Sequence, residues 1–121
     1  MPRSRHPPQL KAKIWVEIDG KKALTDDGAD LLEQIEATGS LSKAARQLRF
    51  SYRRAWMLLD AMNHRWELPL VSTAIGGEGG GGAKLTDLGQ RVLRSFRDVQ
   101  IQIEATLDSE TNGFRRATRP S

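Results

Sequence analysis

Between residues 39 and 66 the apolar positions recur at three- and four-residue steps in two short blocks. In the first, Ala44, Ala45 and Leu48 fall on one helical face. In the second, Ala55, Leu58, Leu59, Met62 and Trp66 form one stripe. Ser42 and Ser51 each offer a side-chain oxygen that can cap the helix following it. Arg49 and Phe50 make the break between the blocks, with Phe50 plugging the angle and small Ala45 leaving room for a close crossing. Such a break often holds glycine; if Arg49 must adopt a positive φ there, it does so at some steric cost. The face of the second helix opposite the stripe carries Arg53, Met57, Asp60 and His64, with Arg54 and Ala61 beside them. Two helices with a tight turn and a cationic second start read as a helix-turn-helix, whose second helix enters the DNA major groove.

The flanking patterns complete a fold. Residues 1–10 are a Pro- and Arg-rich tail. Residues 11–18 alternate, with Ile14, Val16 and Ile18 on one side, which is a strand signal. Asp19-Gly20 is a tight-hairpin dipeptide, and residues 21–24 make the returning strand. Thr25 or Asp26 opens a helix through about Thr38, with Leu31, Leu32 and Ile35 inward and Gly39 ending it. After Pro69, residues 70–75 and 83–85 read as strands around a loop at 76–82 with six glycines and Glu78. That is the pattern of a wing. Thr86 then caps a long helix, with Asp87 favourable in its first turn. Its stripe of Leu88, Val92, Phe96, Val99 and Ile103 runs to about Leu107, and residues 109–121 read as a polar, basic tail.

The predicted fold is mainly α with a small β component. It is a winged helix-turn-helix at 11–108, with an N-terminal β-hairpin and a long C-terminal helix. That last helix is too long for a small core to cover, so its stripe is expected to serve a homodimer, as in two-fold symmetric DNA readers.

Composition narrows the partner. The chain has 121 residues, 38% hydrophobic and 28% charged, with a net charge of +4. The charge is segregated: residues 43–65 hold six basic residues and one acidic, whereas residues 26–36 are acidic. One face is therefore built for an anionic partner. There is no cysteine, which excludes disulfides, thiolate metal sites and cysteine nucleophiles. No apolar run reaches transmembrane length, and the N-terminus lacks the hydrophobic core of a secretion signal. A cytoplasmic protein without a membrane partner is expected.

Other chemistry finds little support. Residues 77–82 satisfy a dinucleotide glycine spacing, but a strand rather than a helix follows, and no Gly-Lys-Ser/Thr ending is present. His6 lies in the tail, and His64 has only Asp60 one turn away, too few ligands for a structural metal. No cofactor, metal or enzyme activity is expected. Trp56 is expected to pack against the wing or the N-terminal hairpin.

For double-stranded DNA, Arg53 and Arg54 are the candidates for guanine edges, because Arg donates bidentately there. Met57 and Ala61 are placed to touch thymine methyls. Ser42, Lys43, Arg46, Tyr52 and Lys84 are candidates for phosphates, with Ser51 starting the recognition helix. The alternative is a winged helix that binds protein through the acidic first helix and the apolar last stripe, without DNA.

The run Leu-Leu-Glu-Gln-Ile-Glu-Ala-Thr-Gly-Ser-Leu-Ser-Lys-Ala-Ala-Arg-Gln-Leu, followed by Ser-Tyr-Arg-Arg-Ala-Trp, Met-Asn and a glycine-rich wing with Leu-Thr-Asp-Leu-Gly, resembles a known family. It is that of the DNA-binding domain of the molybdate-responsive regulator ModE. The helix-turn-helix is also similar to that of LysR-type regulators. The resemblance covers about residues 12–107. It implies a bacterial transcription regulator that dimerises through helices outside the recognition motif, with Ser51, Tyr52, Arg53 and Arg54 starting the recognition helix and residues 76–84 forming the wing. Full-length members carry C-terminal molybdate-binding domains with a Ser-Ala-Arg-Asn type motif. This chain has no such motif and looks like the single-domain version, so direct molybdate sensing is not expected. A separate effector protein would then supply any signal.

Overall fold

The computed structural model describes residues 7–74 and 82–116. The expected wing tip at 76–81, Ile75, and most of the glycine spacing at 77–82 lie outside the described residues, as do 1–6 and 117–121. The chain divides into two compact units, Ile14–Arg97 and a smaller one made of the two chain ends.

The larger unit opens with an antiparallel hairpin, β1 (Val16–Ile18) and β2 (Lys21–Leu24). Asp19 and Gly20 have φ of 52° and 74°. Positive φ at both central residues is the mirror-image turn whose twist matches the strands. β1 starts at Val16 rather than residue 11, because its partner β2 is only four residues long.

Helix α1 (Asp26–Thr38) is capped by Thr25, whose Oγ1 accepts the Gly28 N–H at 3.2 Å. It ends on Gly39, left-handed at φ 69°. Leu31, Leu32 and Ile35 are fully buried and form the centre of the core. A Cβ on Gly28 would stand 2.9 Å from Met62 Sδ, so the helices cross closely there.

Helix α2 (Leu41–Leu48) begins two residues earlier than a Ser42 cap would require. Ser40 is the cap, accepting the Lys43 N–H at 3.2 Å, and Ser42 lies exposed within the helix. The reason is Leu41: it is buried in the core and takes helical geometry to get there. At the other end Arg49 is left-handed at φ 58°, in the place where such turns often hold glycine. Its N–H reaches Arg46 O, while the Phe50 N–H reaches Ala45 O at 2.9 Å. This pair of bonds is the Schellman closure, made here without glycine.

Helix α3 (Tyr52–Arg65) is capped by Ser51, which accepts the Arg54 N–H at 3.0 Å. Ala55, Leu59 and Met62 are buried against α1 and α2. Trp66, just past the helix, donates from Nε1 to Ala23 O at 3.0 Å. The tryptophan that ties α3 to the N-terminal hairpin is thus Trp66, not Trp56. Trp56 is half-exposed, since one step past buried Ala55 turns its side chain by 100° toward the outer face.

The wing strands β3 (Val71–Ala74) and β4 (Gly82–Leu85) pair antiparallel, Val71 opposite Leu85 and Ser72 opposite Lys84. Their root is held by side chains. Asn63 Oδ1 accepts the Leu70 and Val71 N–H groups at 2.9 and 3.1 Å, and Nδ2 donates to Val71 O at 3.0 Å. Thr86 donates to Pro69 O and accepts the Gly89 N–H, capping the last helix. Gly89 lies so close to Leu70 that any Cβ there would collide with the Leu70 carbonyl oxygen. The Ala83 N–H donates to Gly39 O at 3.0 Å, joining β4 to the end of α1.

Helix α4 (Asp87–Arg115) starts in this unit, where Leu93 and Phe96 are buried and Leu88 and Val92 partly so. Arg97 binds Asp30 at 2.7 Å and Glu33 at 2.5 Å on α1. Burial disfavours the Arg97 charge, but its hydrogen bonds to the two carboxylates outweigh that and raise its pKa.

In the smaller unit, α4 continues past Leu107 to Arg115, so the expected tail from residue 109 is helical over its first part. Thr111 shows why: its hydroxyl donates to Leu107 O at 2.7 Å and accepts the Leu10 N–H at 3.3 Å. Residues 7–10 of the expected N-terminal tail therefore include a backbone anchor. Val99, Ile101 and Phe114 are exposed on this half of the helix.

Candidate nucleic-acid interface

The first turn of α3 is the centre of the candidate surface. Its position follows from packing: Ala55, Leu59 and Met62 sink one face into the core, which pushes Tyr52, Arg53, Trp56, Met57 and Ala61 outward. Tyr52 and Met57 are 58% and 55% exposed. Arg53 is exposed, and among the described residues its side chain makes no ion pair or hydrogen bond. The Ser51 cap keeps the first amides of the helix in order, so the helix dipole and the Arg53 charge act at the same end.

Arg54 behaves differently. Its guanidinium lies over the Phe50 ring, 3.9 Å from the centroid, and Nη2 donates to Asp27 Oδ2 at 2.6 Å. It is half-exposed and engaged on two sides, whereas Arg53, the other candidate for a guanine edge, is not so engaged among the described residues.

Ser42, Lys43 and Arg46 are exposed on α2, and Lys84 is exposed on β4. All ten anticipated residues belong to the same compact unit. Among them, α2 and α3 pack on each other, whereas Lys84 stands apart on the wing. The structure adds three exposed candidates: Arg49 in the turn, and Ser72 and Thr73 on β3. In the sequence Arg49 is visible both as a charge and as a steric question in the turn. Ser72 and Thr73 lie in a run rich in β-forming residues, and each carries a hydroxyl beside Lys84 or Ala83.

Among the described residues, no group of three or more His, Cys, Asp or Glu side chains is placed to hold a metal ion. His64 Nδ1 sits 2.7 Å from Asp60 O and 3.3 Å from Asp60 Oδ1, a local pair on the helix surface. No described helix is long and apolar enough to cross a membrane.

Three packed helices, an outward-facing third helix and a β-hairpin after it define a winged helix-turn-helix. Two solved structures share that fold. A Staphylococcus aureus MepR variant bound to an oligodeoxyribonucleotide superposes with TM-score 0.57 at 17% identity, over 72% of this chain and 65% of that one. The full-length LysR-type regulator LysG of Corynebacterium glutamicum gives 0.53 at 24% identity, over 69% of this chain and 28% of that one.

In sequence the chain resembles the DNA-binding domain of the ModE molybdenum-related regulators. It is 39% identical over 107 residues to the molybdenum transport protein ModE of Azotobacter vinelandii, covering 88% of this chain and 40% of the relative. It is 43% identical over 97 residues to the DNA-binding transcriptional dual regulator ModE of Escherichia coli K12, covering 78% of this chain and 37% of the relative. The chain thus spans well under half the length of these relatives. No family model matches it.

Proposed function

We propose that this domain is the DNA-binding part of a ModE-like transcription regulator. It inserts the first turn of α3 into the major groove. The observation that carries this reading is the cationic start of α3, where Arg53 projects without an ion pair or hydrogen bond among the described residues, beside exposed Tyr52 and Met57. Arg53 takes a guanine edge, and Met57 and Ala61 meet thymine methyl groups. Ser42, Lys43 and Arg46 on α2, Ser51 and Tyr52 at the start of α3, and Lys84 on the wing hold the sugar-phosphate chain. The net charge of +4 and its concentration on residues 43–65 support the same reading, since phosphate neutralisation supplies most of the affinity in such interfaces.

The domain acts as a homodimer. Val99 and Ile101 stand exposed on α4, and a second copy is the natural cover for them. Two recognition helices related by a two-fold axis then meet two half-sites about one helical turn apart.

Selection of binding sites from a random duplex library with the purified chain tests both statements. An enriched palindrome is expected. A library that emerges with no enrichment would remove the DNA reading. Enrichment of a single half-site, with sedimentation of a monomer, would remove the dimer alone.

A further inference from the structure

Arg53 and Arg54 are sequence neighbours in the first turn of α3, yet their surroundings differ in kind. Arg53 projects unpaired among the described residues, while Arg54 is clamped between two groups that come from outside α3. Phe50, half-buried in the turn, supplies a flat surface on one side of its guanidinium. Asp27 supplies a carboxylate, and it stands in the first turn of α1, where the Thr25 cap holds the backbone. Neither group needs to move for Arg54 to stay where it is.

Two consequences follow for a duplex. Reading guanine takes two parallel N–H donors from a guanidinium, and Arg54 has one Nη2 N–H donated to Asp27, which ties the orientation of its remaining donors to α1. A phosphate approaching Arg54 also meets the Asp27 charge, so the attraction of the pair for any backbone is weaker than that of a lone arginine.

We propose that Asp27 is a specificity-determining residue of the DNA interface: it withholds Arg54 from phosphates of arbitrary sequence and leaves discrimination to Arg53. This rests on the DNA-binding reading above. Asp27 lowers affinity for random duplex more than for the operator, and so widens the ratio between them. Arg54 becomes a positioning residue that braces the start of α3 against α1.

The test uses the full chain and two probes, a random-sequence duplex and the operator obtained by selection, each titrated by fluorescence anisotropy across a salt series. Asp27→Asn keeps the shape and removes the charge. It is expected to bind random duplex about 3–10-fold tighter, with the log–log salt slope steeper by about 0.9, one additional phosphate. Operator affinity is expected to change less, so the specificity ratio falls. Adding Arg54→Ala to Asp27→Asn is expected to return the slope to its original value. Glu36→Gln, on the same helix, controls for net charge alone. The proposal is overturned if Asp27→Asn leaves random-duplex binding unchanged, or if Glu36→Gln raises it equally. A wild type that binds neither duplex overturns the regulator reading as well, which separates the two failures. Melting curves for each variant confirm that the fold is retained.

Discussion

The two faces of α3 obey different rules. The inner face carries Ala55, Leu59 and Met62 at almost no exposure, with Asn63 turned to the wing root by three hydrogen bonds. The outer face carries Tyr52, Arg53, Trp56, Met57 and Ala61, all open to solvent. A large aromatic and a methionine left in water on a helix whose other side is well packed are not needed by the fold. The contrast separates residues that make the domain from those the proposed function would use, and each can be perturbed alone.

The largest effect is expected from the inner face. Leu59→Ala should cost about 2–5 kcal/mol of stability through the cavity it leaves, read by urea unfolding. Loss of DNA binding in that variant should track loss of fold. Asn63→Ala comes next, at about 1–3 kcal/mol, because the Leu70 and Val71 N–H groups lose their shared acceptor. Here binding should fall further than unfolding explains, since the wing root loosens. On the outer face, Arg53→Ala should cost about 1–3 kcal/mol on the selected operator and leave the melting temperature unchanged. Equal losses on operator and random duplex would show that Arg53 holds phosphate instead. Lys84→Ala should give the smallest effect, flattening the salt slope by about 0.9 for every sequence alike.

Much of the framework was legible because its signals are local. Asp19-Gly20 set the hairpin, Gly39 the end of α1, Ser51 the start of α3 and Thr86 the start of α4, each through bonds within a few residues. The positive φ of Arg49 was legible only as a condition, because glycine often stands at that point of the turn. Errors arose where two local signals competed. Ser40 and Ser42 are equally good caps by type, and only the burial of Leu41 chooses between them. The extension of α4 to Arg115 was hidden by Thr111, Asn112 and Gly113, poor helix formers, and depends on a bond to Leu10 a hundred positions away in sequence. The same is true of the site. The charge of the α3 start could be read from the chain. The pairing of Arg54 with Asp27 could not, because it joins residues 27 apart through the packing of two helices.

The amide of Asn63 has a consequence beyond stability. By gripping Leu70 and Val71 from within α3, it fixes the first wing strand against the helix. On the proposed DNA-binding reading, the domain is a calliper with its jaws held before docking. Less freedom would then remain to be lost, and a furrow of the wrong breadth would be rejected by shape before any base is consulted.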